Sequence, residues 1–380
     1  MASTADYRWD VQRIETLDAL EALETEWREL QQRSIERSIF TSFDYIHTAW
    51  KCFHDDGDKL LILVVREAGK MVAIAPFRVS SITYMNIPSR VVDWLATWEG
   101  DRPGMMCAAD PARCHARIEQ YFSSEFKQWD LLRLNEQLQP VSEDSPLHKA
   151  SHVETQQDSI GFHIPLAGSF DEYLAKIDAK VKSNWRNRSR KIYALTPTPQ
   201  MQRIDDPAQM AATVDRFIAL ERSSWKADAG LGIGKDDKHR LFYAELTRVL
   251  AARGEAVFYF LHSGAEDLAA SLLFMHGDVI YERHIAYSPN HANLSPGIIL
   301  RAELMKDLFG GRWQEFDLMG MQPSVGRQRH KEDWALGRRE TSAQQFFRRT
   351  GRLLPVFAAR RMRDWLGRNR QAAASDGDAA

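Results

Sequence analysis

The sequence predicts an α/β protein with mixed (α+β) sheets, built from two similar halves. Three observations carry this. Helix-period and strand-period apolar patterns alternate along the chain, which implies layered sheets and helices and excludes an all-helical bundle. At 380 residues the chain has room for two domains of roughly 150–200 residues each. Each half also carries a helix ending in Trp-Lys (Phe43–Lys51 and Phe217–Lys226), followed by a strand–turn–strand with an alanine-rich second strand (Leu60–Val79 and Ala256–His276).

In the first half, a strand is expected over Arg8–Ile14 and a helix over Leu17–Gln32, where Leu17, Leu20, Leu23, Trp27 and Leu30 recur at helical spacing. A helix follows over Phe43–Phe53, then strands over Leu60–Arg66 and Met71–Val79, joined by a turn at Glu67–Lys70 that contains Gly69. Strand-like stretches at Ile82–Ile87 and Val91–Leu95, a helix over Pro111–Phe126 and a strand over Asp130–Asn135 complete it. Residues 136–152 are polar, include Pro140 and Pro146, and read as a connector.

The second half resumes at Ile160 with a strand, a helix and a strongly basic helix. It continues with a helix over Ala208–Trp225, a glycine-rich loop over Ala229–Gly234 and a helix over Lys238–Arg253. Strands are expected at Ala256–His262, Leu268–His276 and Val279–Tyr287, then a helix over Pro296–Phe309 and a strand over Trp313–Leu318. A polar stretch leads to Asp333, a last strand near Glu340–Phe347 and a terminal helix. The small polar tail from Ala372 is expected to be disordered. The expected division is a domain over 1–150, a second over 151–350, and a basic amphipathic helix with its tail over 351–380.

Composition narrows the function. Hydrophobic residues are 44% and charged residues 27% of the chain, the balance of a soluble globular protein. A net charge of −2 gives no field that selects DNA or RNA. Apolar runs such as Leu60–Val65 fall far short of the ~20 residues a membrane span requires, and Met1–Asp10 lacks the pattern of a secretion signal. Cys52, Cys107 and Cys114 show no CxxC spacing, and Cys114-His115 has no second ligand pair. No metal site, no disulfide framework and a cytoplasmic location are therefore expected.

Two basic stretches have two readings each. Lys180–Lys191 holds six cations and no acid; it meets a polyanion, or is a solvated helix face with Val181, Trp185, Ile192 and Leu195 turned inward. Arg348–Arg370 holds eight arginines against Asp364, interleaved with Leu354, Phe357, Met362, Trp365 and Leu366. That is the composition of an interfacial helix at the inner-membrane surface, or of a terminal helix docked on its own domain.

The chemistry concentrates in Leu268–Phe309. Ser295 suits an N-cap, Pro296 the first helical position, and Gly297 a close backbone approach to a ligand. Such a helix start is an anion site, with a pyrophosphate as its natural guest. The first half contains no helix start comparable to Ser295–Gly297. Strand alternation puts Glu282, His284 and Ala286 on one face, and Tyr281, Arg283, Ile285 and Tyr287 on the other. Glu282 and His284 together form a proton relay on this reading; alternatively, Glu282 pairs with a neighbouring arginine. Asp317 either orients a substrate or is a satisfied strand-end carboxylate.

Leu268-Ala-Ala-Ser-Leu-Leu-Phe, Tyr281-Glu-Arg-His-Ile-Ala-Tyr287 and Ser295-Pro-Gly297 before an apolar helix resemble the acyl-CoA core of GNAT acyltransferases. More narrowly they resemble the bacterial tandem-GNAT branch that includes CelD-like proteins of exopolysaccharide clusters and is related to Fem-type transferases. Trp225-Lys226, Phe316–Gly320 and Lys331 before Trp334 add to the likeness. The family's usual phosphate loop is reduced here to Ser-Pro-Gly.

The resemblance implies two tandem GNAT-like domains, the first degenerate and silent. It implies acyl-CoA as co-substrate with no resident cofactor, lying between the strands Leu268–His276 and Val279–Tyr287. Ile285, Ala286, Tyr287, Ser295, Pro296, Gly297, Ile298 and Ile299 would bind it. Glu282, His284 and Asp317 are the implied catalytic residues, and Trp225, Lys226 and Lys331 the implied substrate contacts. The implied partner is an amine of an envelope lipid, such as a sphingoid base, or of a polysaccharide precursor. Two alternatives stand beside it: transfer from aminoacyl-tRNA in the Fem manner, and a non-catalytic GNAT-fold subunit of an exopolysaccharide complex.

Overall fold

The computed structural model describes residues 9–35, 38–222, 232–321, 329–359 and 362. Its strands are β1 (Trp9–Ile14), β2 (Lys59–Glu67), β3 (Lys70–Tyr84), β4 (Ile87–Trp94), β5 (Met106–Cys107), β6 (Leu131–Gln137) and β7 (Ser151–Pro165). They continue with β8 (Gln200–Ile204), β9 (Ala256–Ser263), β10 (Glu266–His276), β11 (Val279–Tyr287), β12 (Glu315–Met321) and β13 (Gly337–Arg348). The helices are α1 (Leu17–Glu21), α2 (Glu24–Arg33), α3 (Phe43–Phe53), α4 (Pro111–Gln120), α5 (Pro146–Ala150) and α6 (Phe170–Lys176). After them come α7 (Ala179–Ile192), α8 (Met210–Arg222), α9 (Asp237–Ala251), α10 (Pro296–Leu308) and α11 (Arg329–Glu332).

Where the sequence signals are local, the elements form as expected. The expected helix over Leu17–Gln32 is two helices, with a break at Ala22–Leu23. The stretch Ile82–Ile87 is not a strand of its own. β3 runs on to Tyr84, and Met85 and Asn86, at φ 46° and 65°, make a two-residue turn into β4, the left-handed geometry that suits the twist of a tight hairpin. The expected connector over 136–152 contains α5, capped by Ser145, and the start of β7. β7 begins nine residues earlier than Ile160 because Thr155, Gln156 and Gln157 are exposed, so no apolar alternation marks them. The same cause hides β8, where only Ile204 is buried.

The chain folds into two compact units: Met1–Glu36, Asp55–Gln157 and Ser342–Ala380 form one, Arg37–His54 and Asp158–Thr341 the other. Both units are discontinuous in sequence, unlike the expected division into 1–150, 151–350 and 351–380: α3 groups with the second unit and the chain from Ser342 with the first.

In the first unit β1, β2, β3 and β4 pair antiparallel in order, β4 pairs parallel with β6, and β6 pairs antiparallel with Ser342–Phe347 of β13. In the second, β8, β9, β10 and β11 pair antiparallel in order, β11 pairs parallel with β12, and β12 pairs antiparallel with Ile160–Pro165 of β7. Strand order and sense are the same, so the duplication suggested by the two Trp-Lys helices is a duplication of topology.

The first unit packs Leu61, Leu63, Ala75, Phe77, Trp94, Phe122 and Trp129 into its core. Val257, Leu261, Leu273, Ile280, Leu300, Met305 and Phe316 fill that of the second. At about 25 cal/mol per Å2 of buried apolar surface, such side chains contribute most of the stabilisation of each unit.

The first unit does have a counterpart to the Ser295 helix start. α4 occupies the place between β4 and β6 that α10 occupies between β11 and β12, and Asp110 before it is left-handed (φ 43°), as Ser295 is (φ 51°). Each is followed by proline. At α4, however, the Asp110 carboxylate accepts the Arg113 N–H (3.1 Å) and occupies the positive end of the helix with its own charge. Replacing Asp110 with alanine is expected to destabilise the first unit by about 1 kcal/mol, read as a shift of the urea midpoint.

Candidate active site

All of the following geometry belongs to the second unit. β11 pairs with β12 only over Val279–Tyr281 against Glu315–Asp317, whereas its ladder with β10 runs from Val279 to Tyr287. From Glu282 onward, β11 has no partner on β12 among the described residues. The opening is therefore a fork between β11 and β12, not the gap between β10 and β11 that the resemblance implies. β12 bends at the fork: its register with β7 shifts between Asp317 and Gly320, and Met319 adopts φ 67°. Asp317 supports the bend by accepting the Met319 N–H (2.8 Å).

The faces of β11 also depart from strict alternation. Leu272 pairs with His284 but Leu273 with Glu282, so Arg283 is an unpaired extra residue, a β-bulge. A bulge resets the alternation. Glu282 therefore faces α10, while His284 faces α8 and α9, and the two do not form a relay.

Glu282 accepts from Arg301 Nε (2.9 and 3.0 Å) and Nη2 (2.5 Å), and both side chains are 1% exposed. Arg301 Nη1 donates to the His330 carbonyl (2.6 Å), tying β11 and α10 to α11. Glu282 thus pairs with a neighbouring arginine in the core, and a carboxylate so engaged is not available to take a proton from an amine.

On the other face, His284 Nε2 lies 2.7 Å from Tyr243 Oη. Tyr243 is fully buried on α9, Phe217 of α8 meets the imidazole edge-on at 6.5 Å, and the Arg283 guanidinium stands 5.8 Å from the Tyr243 ring. His284 itself is half-buried. No sequence signal singles out Tyr243, because it falls in the apolar run of an ordinary amphipathic helix.

Asp317 is 2% exposed; besides Met319 it faces Arg339 Nη1 at 3.4 Å, and Arg339 also pairs with Glu315. It is the satisfied strand-end carboxylate of the two readings. Lys331 Nζ approaches the carbonyls of Met319 and Gly320 (3.4 Å each), on the β12 side of the fork. Trp225 and Lys226 lie outside the described residues.

Ser295 stands at the N-cap position of α10 without capping it. Its backbone is left-handed (φ 51°, ψ 55°) and its side chain makes no capping hydrogen bond; Oγ accepts instead from Arg188 Nη1 (2.8 Å). The Ser295 carbonyl takes the N–H groups of Ile298 (3.0 Å) and Ile299 (3.3 Å). Pro296 holds the first helical position as expected. A Cβ on Gly297 would come within 3.2 Å of Ile285 and 3.8 Å of Tyr287, so the glycine also brings α10 close against β11.

An open pocket of about 70 Å3 lies at this helix start, between α7 (Asn184, Trp185, Arg188), α10 (Ser295, Ile298) and Asp333. Trp185 Nε1 is buried and has no acceptor among the described residues. Arg188 brings positive charge to the positive end of α10, an arrangement that an anion in the pocket would relieve; Asp333 supplies the opposing charge on the far wall. The basic helix is therefore divided. Arg188 turns inward, while Lys180, Arg186, Arg190 and Lys191 are exposed.

Among the described residues no three His, Cys, Asp or Glu side chains group to hold a metal, and no helix is long and apolar enough to cross a membrane.

Residues 179–332 match the acetyltransferase (GNAT) domain family. Among solved structures, 91 chains resemble this one. The crystal structure of FemX is 10% identical with a TM-score of 0.61, the alignment covering 88% of this chain and 96% of FemX. The C-terminal domain of a putative lysylphosphatidylglycerol synthetase from Agrobacterium fabrum is 10% identical, TM-score 0.52, over 86% of this chain and 92% of that domain. A conserved protein of unknown function from Bacteroides thetaiotaomicron is 10% identical, TM-score 0.50, over 89% and 99%. At such identity the likeness is one of fold. No curated protein sequence matches the chain.

Proposed function

We propose, from the premise that residues 179–332 form a GNAT acetyltransferase domain and the chain is an acyltransferase, that it transfers an acyl group from acyl-coenzyme A to a primary amine. The observation that carries the reading is the fork between β11 and β12 opening beside a helix start faced by Arg188.

On this reading the donor's pantetheine arm enters the fork, and its phosphates lie over Ser295–Ile299. Arg188 and the Trp185 N–H complete the anion site, and Ile285, Ala286 and Tyr287 line the arm. By the alternation of the β10–β11 ladder, the Tyr287 N–H points away from β10 towards the fork. There it stabilises the thioester oxygen as that oxygen becomes negative.

The acceptor approaches from the His284 side. His284 takes a proton from the attacking nitrogen, the new N–C bond forms, the C–S bond breaks, and coenzyme A leaves as its thiol after reprotonation. Tyr243 holds the imidazole in place, and Lys331 contacts the acceptor from the β12 side. The acceptor class we favour is an amine of an envelope lipid, such as a sphingoid base, or of a polysaccharide precursor.

A second reading is supported by the outward cations of α7, which flank the same pocket: an aminoacyl-tRNA donor whose backbone lies along Lys180, Arg186, Arg190 and Lys191. A thermal-shift panel of acyl-CoAs and tRNA separates the two. A donor bound only by the folded state stabilises by about 2.7 kcal/mol at a hundredfold excess over its Kd. We expect a chain-length-dependent shift with acyl-CoA that Arg188→Glu abolishes. A shift with tRNA alone supports the second reading, and no shift with any CoA sinks the first.

A further inference from the structure

The first unit carries a surface for which acyl transfer has no use. The turn between β3 and β4 leaves Met85 59% exposed. Beside it Ile82, Tyr84 and Ile87 are half-buried against a small core of Val91, Leu131, Phe347, Leu353 and Phe357. The C-terminal segment reaches the same core: Leu353 and Phe357 are buried in it, Val356 packs on its margin, and Leu354 remains 38% exposed. Residues 354–359 are helical. Arg352 Nη1 donates to the Pro88 carbonyl (3.2 Å), fastening the segment to the hairpin. Met362, further along, is 60% exposed.

The arginines around these apolar groups have no acidic side-chain partner among the described residues. The side chains of Arg348, Arg349 and Arg352 donate to the carbonyls of Lys127, Ser151 and Pro88. Asp130, the acid at hand, spends its oxygens on the N–H groups of Arg352 and Arg90. Arg348–Arg370 holds eight arginines and one acid in a chain whose net charge is −2, so the excess is local. RNA would engage the guanidinium groups but leave Met85 and Leu354 in water. An anionic bilayer engages both, apolar side chains below the headgroups and arginines among the phosphates.

We propose that the β3–β4 hairpin tip and the C-terminal segment form a docking surface for anionic lipid, with Met85, Leu354 and Met362 entering the interface and Arg348, Arg349 and Arg352 on the lipid phosphates. The test is co-sedimentation of the full chain with vesicles of phosphatidylcholine, alone or mixed with phosphatidylglycerol. We expect at least ~tenfold stronger binding to the anionic vesicles. A similar loss is expected in the Met85→Asp/Leu354→Asp double variant, whose exposed sites leave the melting temperature unchanged, and in Arg352→Glu. Equal binding to both vesicle types overturns the charge argument, and full binding by the double variant overturns the assigned surface. Binding to a short RNA in place of vesicles assigns the arginines to nucleic acid and overturns the proposal as well.

Discussion

Replacing His284 with alanine is expected to lower kcat about 10^2–10^3-fold while leaving acyl-CoA binding within about twofold, the loss typical of a removed general base. The bulge at Arg283 is what makes the proposed role possible, since it turns the imidazole away from α10 and towards α8 and α9. A base must be deprotonated to act, so the wild-type rate falls at low pH, and that acid limb should disappear in the variant. Tyr243→Phe removes the hydroxyl partner of Nε2 and should cost about tenfold, mostly in kcat, because the imidazole loses its orientation and not its basicity. Stopped-flow measurement of thiol release across pH reads all three effects. A His284→Ala protein with near wild-type kcat and an intact acid limb would remove His284 from the chemistry.

Much of the frame was legible because its signals are local. The hairpins announce themselves by glycine or short polar turns between apolar runs, and Pro296 marks the α10 start within the span of a few residues. Asp110-Pro111 carries the same signal as Ser295-Pro296, and only the longer connection from β4 obscures the correspondence.

The site was legible in composition but not in arrangement. Tyr281–Tyr287 reads as clean alternation, and the bulge that moves Glu282 and His284 to opposite faces is set by which residues of β10 they pair with. Likewise, the inward turn of Arg188 depends on where α10 begins in space, not on the spacing of cations in α7. Arg301 is a different case. An arginine among Ile298–Leu304, otherwise almost wholly apolar, is a buried cation that demands an acid, and Glu282 is the acid that meets it.

That pair should give the largest loss of stability in the second unit. Glu282→Ala is expected to cost about 3–5 kcal/mol, because it leaves the Arg301 guanidinium buried and uncompensated, and Arg301→Ala about as much for the converse reason. At roughly 2–4 °C per kcal/mol for a unit of this size, the melting transition of the second unit should fall by roughly 6–20 °C. The double variant Glu282→Leu/Arg301→Met should recover most of that loss, since well-packed apolar side chains commonly replace a buried ion pair at little cost. It should not recover all of the activity: Arg301 Nη1 also holds the His330 carbonyl, and without it α11 no longer fixes Lys331 at the fork. A structural Glu282 and a catalytic Glu282 part here. If Glu282 were the base, the stable double variant would be inactive and Glu282→Gln, where folded, would fail to turn over. If it is the anchor of Arg301, Glu282→Gln should melt early yet, where folded, keep kcat within about tenfold, short of the loss expected for removing a general base.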